Sequence, residues 1–512
     1  MTRESEQRER EAGARRGFWR QKGGNIALIT AFVMVPLTFA LGMAFDFTLS
    51  QTRKDQLDGI ADAAALGAVT PTQMTLSCTT AAAQSKTLFN GQEATVAGVD
   101  PATLIVTVSG CPDSSNSNLV TRAITVSYTG QSNNVFASLL GMPTLPIQGH
   151  STATSSTAPN IDFYLLLDTS PSMLLAATDT DIATLESYTQ NETDGTTHGC
   201  AFGCHESDPT GDGTLATFDT TTGAHITCTT SGTYADGTTF TTGSQFPFSG
   251  RDNYDLAQCV NVGLRINLLR TGVQTLMGDA NTTEQADLAT YRVALYETNS
   301  NQPNYLNDLG VNELQSITPD LTGAALSAAG NITALEMYTN NNLQTGATNG
   351  SNNDMDTSLD ADVAEMDTLG NSNYIPDPGN GAAGQQPQEV LFIVTDGLND
   401  TTPNRTYAPL DWSGTICSAI KARGIRIAVL YTQYLPLPAP SGWYEGHVAP
   451  ALPTGLPPGL PVGTPVGTDP MALGAQQCAS PGLFYEVSTN GNIVTALQAL
   501  FQEAVQTARL LH

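Results

Sequence analysis

Charged residues, and basic ones above all, are scarce in this chain. They make up 13% of the 512 residues, and 48 acidic side chains stand against 20 basic ones, which gives a formal net charge of -28. Lysine occurs only at Lys22, Lys54, Lys86 and Lys421. Because so acidic a chain repels a phosphate backbone, nucleic acid is excluded as a partner. The surplus of carboxylates suits the binding of divalent cations.

The motifs of common enzyme classes are also missing. The chain has no HExxH zinc motif, since His205-Glu206 lacks the second histidine, and it has neither a GxSxG nucleophile elbow nor a G-x4-GK[ST] phosphate loop. Hydrophobic residues reach 40%, which is enough to build folded cores. We therefore expect a binding protein and not an enzyme. The competing hypothesis is an exported hydrolase whose turnover would depend on Ser170.

One long uncharged segment stands near the N-terminus. Residues 23–45 carry no charge and are long enough to cross a membrane as a helix. Seven of the 20 basic residues precede it in the tail at 1–22, and acidic residues dominate after it. This asymmetry predicts an anchor at 23–48, with the N-terminus in the cytoplasm and the remainder exported. A cleaved secretory signal is the alternative, but no small-residue cleavage pattern follows the segment.

The cysteines form an even set that lies entirely in the exported part. In an oxidising compartment such a set predicts disulfides. The preferred pairs are Cys78 with Cys111 and Cys417 with Cys478, while Cys200, Cys204, Cys228 and Cys259 are expected to pair among themselves. The cluster His198-Gly-Cys200-Ala-Phe-Gly-Cys204-His205 could instead hold zinc, although structural zinc sites bring two paired ligand clusters and only one is visible.

Composition divides the exported part into two regions. Residues 49–158 begin with an Ala- and Leu-rich helical extension and continue as a small α+β module. From 159 to 512, short apolar runs alternate with helical patterns, which predicts an α/β domain with a doubly wound, mainly parallel, Rossmann-like sheet. Strands are expected at 161–167, 292–296, 390–394, 425–431 and 483–487, and helices at 259–276, 412–423 and 493–510. Long polar insertions are expected at about 187–250, 298–388 and 435–470.

Oxygen-bearing side chains follow two of the predicted strands directly. The pattern D-x-S-x-S comes after the first strand, and Thr395-Asp396-Gly397 comes after the strand at 390–394. Ligands of doubly wound sheets bind beyond the carboxyl ends of the strands, where both motifs lie. Carboxylates and hydroxyls are the donors that small, hard cations prefer. We therefore expect one metal site built from Asp168, Ser170, Ser172 and Asp396.

These motifs resemble the von Willebrand factor A domain with its metal-ion-dependent adhesion site (MIDAS). The resemblance implies that Ser170 and Ser172 bind Mg²⁺, or Mn²⁺ or Ca²⁺, through their hydroxyls, and that Asp168 and Asp396 act on it directly or through water. It also implies an open coordination position for an acidic group of a partner. The family places a threonine in a middle loop, and this position falls on Asn353 here, with Thr357 and Thr348 as alternatives.

Residues 23–69 resemble the anchor of TadG-type proteins of the tight-adherence (Tad/Flp) pilus system, which carry a von Willebrand factor A region after a short membrane segment. The resemblance implies a single-pass protein of the bacterial inner membrane that takes part in pilus assembly or cell adhesion. Its partners would be other pilus-assembly components or a surface ligand with an acidic group. The alternative is a structural scaffold of the pilus apparatus that works without a metal.

Overall fold

The chain folds as two compact units that divide near Thr157. The structure is a computed structural model that describes residues 22–110, 121–190, 199–206, 225–298, 311–336, 357–367, 375–382, 384–401, 406–411, 413–433, 470–488 and 491–510. Unit 1 precedes the division and unit 2 follows it.

A single helix, α1 (Lys22–Gly67), runs through the N-terminal part of unit 1. It is 46 residues long and continues through Pro36, as membrane helices tolerate. Its first half exposes apolar side chains and is long and apolar enough to cross a membrane. Its second half is packed in a core through Leu57, Ala61, Ala64 and Ala65. The predicted anchor and its helical extension are therefore one continuous helix.

A three-stranded antiparallel sheet covers the second half of α1. Its strands are β1 (Val99–Ser109), β2 (Thr121–Asn133) and β3 (Thr144–Ser156), in the order β1-β2-β3. In β2, alternate side chains are buried, among them Ile124, Val126 and Tyr128, because successive residues of a strand point to opposite faces. Two further helices complete the unit, α2 (Pro71–Met74) and α3 (Cys78–Glu93).

Unit 2 is built on a mixed sheet of six strands. They are β4 (Ile161–Leu167), β7 (Tyr291–Glu297), β8 (Asn312–Thr318), β9 (Gln388–Thr395), β12 (Arg426–Thr432) and β13 (Phe484–Val487). The order is β13-β12-β9-β4-β7-β8, and all neighbours pair in parallel except β8, which runs antiparallel at one edge. Two small hairpins lie outside this sheet, β5 (Gly232–Thr233) with β6 (Thr239–Phe240) and β10 (Leu398–Thr401) with β11 (Thr406–Pro409).

Helices cover both faces of the large sheet. The central strand β4 shows why, since Phe163, Leu165 and Leu167 enter one core while Tyr164 and Leu166 enter the other. On the first face lie α4 (Asp179–Tyr188), α5 (Asn253–Cys259), α6 (Arg265–Asp287), the short α7 (Leu326–Ala329) and α11 (Ile493–Leu510). On the second face lie α8 (Leu359–Met366), α9 (Ile416–Ala422) and α10 (Pro470–Cys478). A strand buried on both faces reads as a continuous apolar run.

Two of the expected polar insertions contain helices or strands. The segment 298–388 contributes β8 and α8, and the segment 187–250 contributes the β5-β6 hairpin. The segment 435–470 lies outside the described residues apart from its last position. The strand β8 reads NELQSIT and is half-buried at an edge, so it carries no apolar run that would have predicted it.

Candidate functional site

The two acidic motifs meet at one edge of the large sheet. Strands β4 and β9 are parallel neighbours, with Leu167 paired to Val394, so both chains leave the sheet at the same end. The N–H of Asp168 donates to the carbonyl oxygen of Val394 at 2.8 Å. Asp168 and Asp396 therefore emerge side by side, and both are fully buried.

The D-x-S-x-S loop gathers three oxygen-bearing side chains. Ser170 Oγ donates to Asp168 Oδ1 at 2.6 Å and lies 2.8 Å from Ser172 Oγ. The Ser170 N–H also donates to Asp168 Oδ1, at 3.1 Å. A 3₁₀ turn at Pro171–Leu174 begins directly after Ser170, and the fixed backbone of Pro171 suits its first position. The loop thus holds both hydroxyls beside one carboxylate.

Asp396 is held less completely than Asp168. Its Oδ1 accepts a long hydrogen bond of 3.4 Å from the Leu398 N–H. Its buried Oδ2 has no hydrogen-bond partner within the described part of the chain. Arg265 Nη1 lies 3.9 Å from this oxygen, which is too far for a hydrogen bond. Burial and the charge of Asp168 raise the pKa of Asp396, while Arg265, the Ser172 hydroxyl and the Leu398 N–H lower it by less. A cation between the two carboxylates would offset the cost of burying their charges and would reduce the repulsion between them.

Three residues around the site escaped the sequence interpretation. Thr395 Oγ1 donates to Asp168 Oδ2 at 2.7 Å, so it joins the two motifs. Thr298 accepts from the N–H of Thr169 at 3.2 Å and receives the Thr169 hydroxyl on its carbonyl at 3.0 Å. Thr395 lies in the TDG motif and Thr298 directly follows β7. Ligands of such sheets bind at the carboxyl ends of the strands, so the positions of both residues could have identified them.

Arg265 is the third of these residues, and no local signal marks it. It is the first residue of α6 and is almost fully buried. Its Nη2 donates to the carbonyl oxygen of Gln433, just beyond β12, at 2.6 Å. Its guanidinium is thereby fixed near Asp396 and places a positive charge 3.9 Å from Asp396 Oδ2.

The remaining predicted ligands are not brought to the site by the described residues. Asn353 and the alternative Thr348 lie outside them. Thr357 is described and buried, two residues before α8. Within the described ranges no three His, Cys, Asp or Glu side chains gather as metal ligands. The candidate site has two carboxylates and two hydroxyls, so it is of another type.

The cysteines follow the expectation in part. Cys417 and Cys478 form the predicted disulfide, and Cys228 pairs with Cys259. Cys78 is disulfide-bonded, while Cys111, its expected partner, lies outside the described residues. The expectation that Cys200, Cys204, Cys228 and Cys259 pair among themselves is therefore met by Cys228 and Cys259, whereas Cys200 and Cys204 are not joined in a disulfide.

Backbone hydrogen bonds hold the segment that carries these two cysteines. The Cys200 N–H donates to Thr189 Oγ1 at 2.8 Å, and the Cys204 carbonyl accepts from Tyr254 at 3.0 Å. The segment is therefore held between two different elements. His205, which the zinc alternative needs, is engaged by Asp252 instead, and His198 lies outside the described residues.

Comparison with known proteins finds a family match in the N-terminal part. Residues 24–83 match the Tad family model, described as Flp pilus-assembly TadE/G-like. This match supports a protein of the Tad system with a pilus-related function, and the apolar helix α1 fits a membrane anchor. A search of curated proteins finds no match.

Among solved structures, the crystal structure of the pilus adhesin SpaC from Lactobacillus rhamnosus GG is similar at 10% identity with a TM-score of 0.30. The alignment covers 78% of this chain and 36% of that one, so this chain spans about a third of the adhesin's length. A TM-score this low carries no argument about fold or function.

Proposed function

We propose that this protein is a membrane-anchored pilus-assembly or adhesion protein that binds a partner through a divalent cation. The cation would be held by Asp168, Ser170, Ser172 and Asp396. The observation that carries this proposal is the buried Oδ2 of Asp396, which lies beside a second buried carboxylate and has no hydrogen-bond partner among the described residues. Buried charges of this kind are stable when they coordinate metals or are paired.

The donor set fits a small, hard cation. Mg²⁺ takes oxygen ligands, is bound through one or two carboxylates and keeps several waters. The site offers two carboxylates and two hydroxyl oxygens that are 2.8 Å apart. Mn²⁺ and Ca²⁺ accept the same oxygen donors. The resemblance noted above adds Asn353 as a further ligand and an acidic group of the partner as the last one, so the function is binding and not catalysis.

The architecture of unit 2 supports a von Willebrand factor A domain. The six-stranded sheet has one antiparallel edge strand, helices on both faces and the candidate ligands at the carboxyl end of its central strands. Ligands of open α/β sheets bind at this end. Fold alone does not establish function, so the proposal depends on the ligands and not on the topology.

The cellular location is part of the same proposal. The basic tail at 1–22 is placed in the cytoplasm by the positive-inside rule. Unit 2 would then lie on the far side of a bacterial inner membrane, and its two disulfides agree with an oxidising compartment. Partners in this compartment are other pilus-assembly components or a surface ligand that carries an acidic group.

A titration with Mg²⁺ tests the cation site. We expect Mg²⁺ to raise the melting temperature of unit 2 in the parent protein, because a ligand of the folded state stabilises it. Asp396→Asn should abolish this rise. In chelator the same variant should be at least as stable as the parent, since a neutral amide ends the repulsion with Asp168.

Asp287→Asn is the matched control. Asp287 is the last residue of α6, about 30 Å along the helix from Arg265. This variant should keep the full response to Mg²⁺. If the parent protein melts at the same temperature in Mg²⁺ and in chelator, and calorimetry with Mg²⁺ or Mn²⁺ detects no heat of binding, the metal-independent scaffold is the better description.

A further inference from the structure

A strongly apolar loop joins β2 to β3 in unit 1. Its residues are 135–142, and five of its eight side chains are exposed hydrophobics, from 37% for Phe136 to 76% for Leu139. The other three are Val135, Leu140 and Met142. Contiguous exposed apolar side chains mark a surface that contacts another molecule or a membrane. We call residues 135–142 the apolar loop.

The apolar loop is closed at its neck and has a defined shape. The N–H of Asn134 donates to the Pro143 carbonyl at 2.8 Å, and its side-chain amide donates to the Met142 carbonyl at 3.0 Å. Inside the neck a 3₁₀ turn runs from Ala137 to Leu140 and ends at Gly141, whose φ of +83° is readily adopted by glycine. The exposed side chains are therefore displayed by ordered backbone.

The apolar loop is fixed to helix α1 by a buried acid. Asp46 accepts three backbone N–H groups, from Val135 at 2.8 Å, Phe136 at 2.9 Å and Ala137 at 2.6 Å. Asp46 is also the first charged residue after Lys22. The donors at the start of the 3₁₀ turn thus solvate the carboxylate that ends the apolar stretch of α1.

Apolar contacts and an arginine complete the attachment. Phe136 packs so closely on α1 that a Cβ at Gly42 would lie 2.6 Å from Phe136 Cβ. The ring of Phe136 meets that of Phe45 edge to face at 5.9 Å between centroids. About two turns further along, Arg53 Nη1 donates to the Ser132 hydroxyl at 2.9 Å and to the Asn133 carbonyl at 2.8 Å. The apolar loop is therefore packed firmly against α1.

The contacts set the depth of the apolar loop along α1. The exposed apolar side chains of the helix run from Ile26 to Phe47, and the loop is attached at Gly42 and Phe45. With a rise of about 1.5 Å per residue, Gly42 lies about 8 Å inside the end of this stretch. Interfacial apolar groups insert to about 5–10 Å, at the boundary of headgroups and acyl chains.

We propose that the apolar loop inserts into the phospholipid bilayer beside α1 and forms a second lipid contact of this protein. The bilayer is the occupant because the exposed side chains continue the apolar surface of the helix at the depth of the interface. The three N–H donors also explain how Asp46 can be placed there, since a bare carboxylate is costly at that level. The inference rests on the proposed membrane anchoring by α1 and is independent of the cation site.

Tryptophan reporters in the full chain test the insertion. The protein is reconstituted into phosphatidylcholine vesicles with and without brominated acyl chains, and the signal of Trp19, Trp412 and Trp443 in the parent is subtracted. Brominated lipid should quench the emission of Leu139→Trp, and acrylamide in the water should quench it only weakly. Met142→Trp is a second reporter at the other end of the apolar loop.

Two controls separate the loop from the anchor. Phe32→Trp, in the exposed apolar half of α1, should be quenched by brominated lipid if the helix spans the bilayer. Ile105→Trp is the control away from the loop, at an exposed apolar position. Ile105 pairs with Ser127 of β2, six residues or about 20 Å from the loop end of that strand, so the reporter should be quenched only by acrylamide.

The outcomes are distinct. Quenching at 32 and 139 but not at 105 supports insertion. Quenching at 32 alone, with the two loop reporters open to acrylamide, overturns the inference and leaves the anchor in place, so that a protein surface would cover the loop. An unquenched Phe32→Trp overturns the anchor and the inference together.

Discussion

At the scale of single residues, the buried acids of this protein differ in how their oxygens are satisfied. Asp46 accepts three backbone N–H groups, and Asp168 accepts from Ser170 and Thr395. Asp411 accepts from the backbone at Thr415, Ile416 and Cys417, at the start of α9. Asp396 accepts a long hydrogen bond from the Leu398 N–H, and its Oδ2 has no hydrogen-bond partner among the described residues. Asp396 is therefore satisfied less completely than Asp46, Asp168 and Asp411.

His205 leads to a prediction about pH at the same scale. Its Nδ1 lies 3.0 Å from Asp252 and its Nε2 lies 3.4 Å from Glu336, and its ring contacts that of Tyr254 at 4.5 Å between centroids. Burial lowers the pKa of His205, but the hydrogen bond and charge of Asp252, with the charges of Glu336 and Asp255, raise it by more. A raised folded-state pKa stabilises the fold below the unfolded pKa of about 6.5, and this contribution is lost as the pH rises through the folded value.

We therefore expect unit 2 of the parent protein to lose more stability than His205→Gln when the pH is raised from about 6 to about 9. Urea unfolding at several pH values measures the difference. Glu336→Gln should reduce it, because one of the two anionic partners is removed. Parallel stability curves for the parent and His205→Gln would show that the histidine is not tied to these acids.

At the scale of elements, hydrophobic patterning predicted the buried strands and missed the edge strand. It also misplaced the helix expected at 259–276, because α5 ends at Cys259 and α6 begins only at Arg265. The expected strand at 161–167 coincides with β4, and the expected strands at 292–296 and 390–394 lie inside β7 and β9. Helix α11 has the predicted bounds as well. The edge strand β8 and helix α8 lie in a region that composition marked as an insertion. Patterning detects burial, and an edge strand with one partner is buried too little to show it.

The packing of α6 on α11 gives a prediction for a pair of glycines on one helix. A Cβ at Gly272 would meet Leu497 at 3.5 Å and the backbone of Val494 at 3.6 Å, whereas nothing lies within 4 Å of one at Gly278. Gly272→Leu should therefore destabilise unit 2 by about 1–3 kcal/mol through overpacking. Gly278→Leu should be neutral or stabilising by up to about 1 kcal/mol, because leucine has the higher helix propensity. Equal effects in chemical denaturation would contradict this account of the interface.

At the scale of the whole molecule, the arrangement of charges and cysteines agrees with two chemical environments. The basic tail precedes the apolar helix, and the acidic excess and all eight cysteines follow it. Both disulfides of unit 2 close long loops of the chain, with sequence separations of 31 and 61 residues. Closing loops of this length restricts the unfolded chain, which stabilises the fold by about 4 kcal/mol for each bond in the loop-entropy model.

Alkylation followed by mass spectrometry tests this pattern of cysteines. In denaturant without a reductant, iodoacetamide should label Cys200 and Cys204, because both carry thiols. Cys228, Cys259, Cys417 and Cys478 should be labelled only after reduction. Labelling of Cys417 in the unreduced protein would contradict the disulfide, and protection of both Cys200 and Cys204 would mean that they pair after all.

The sequence by itself determined the long apolar helix, the buried strands of the large sheet and the motifs that end two of them. These features depend on residues that are close along the chain, so periodicity and composition report them. Only the tertiary structure decided which atoms meet. Asp168 and Thr395 are 227 residues apart along the chain, and Arg265 reaches the site from the start of α6. The position of the apolar loop was also decided by the tertiary structure, because the contacts with Asp46 and Gly42 place its exposed side chains beside α1.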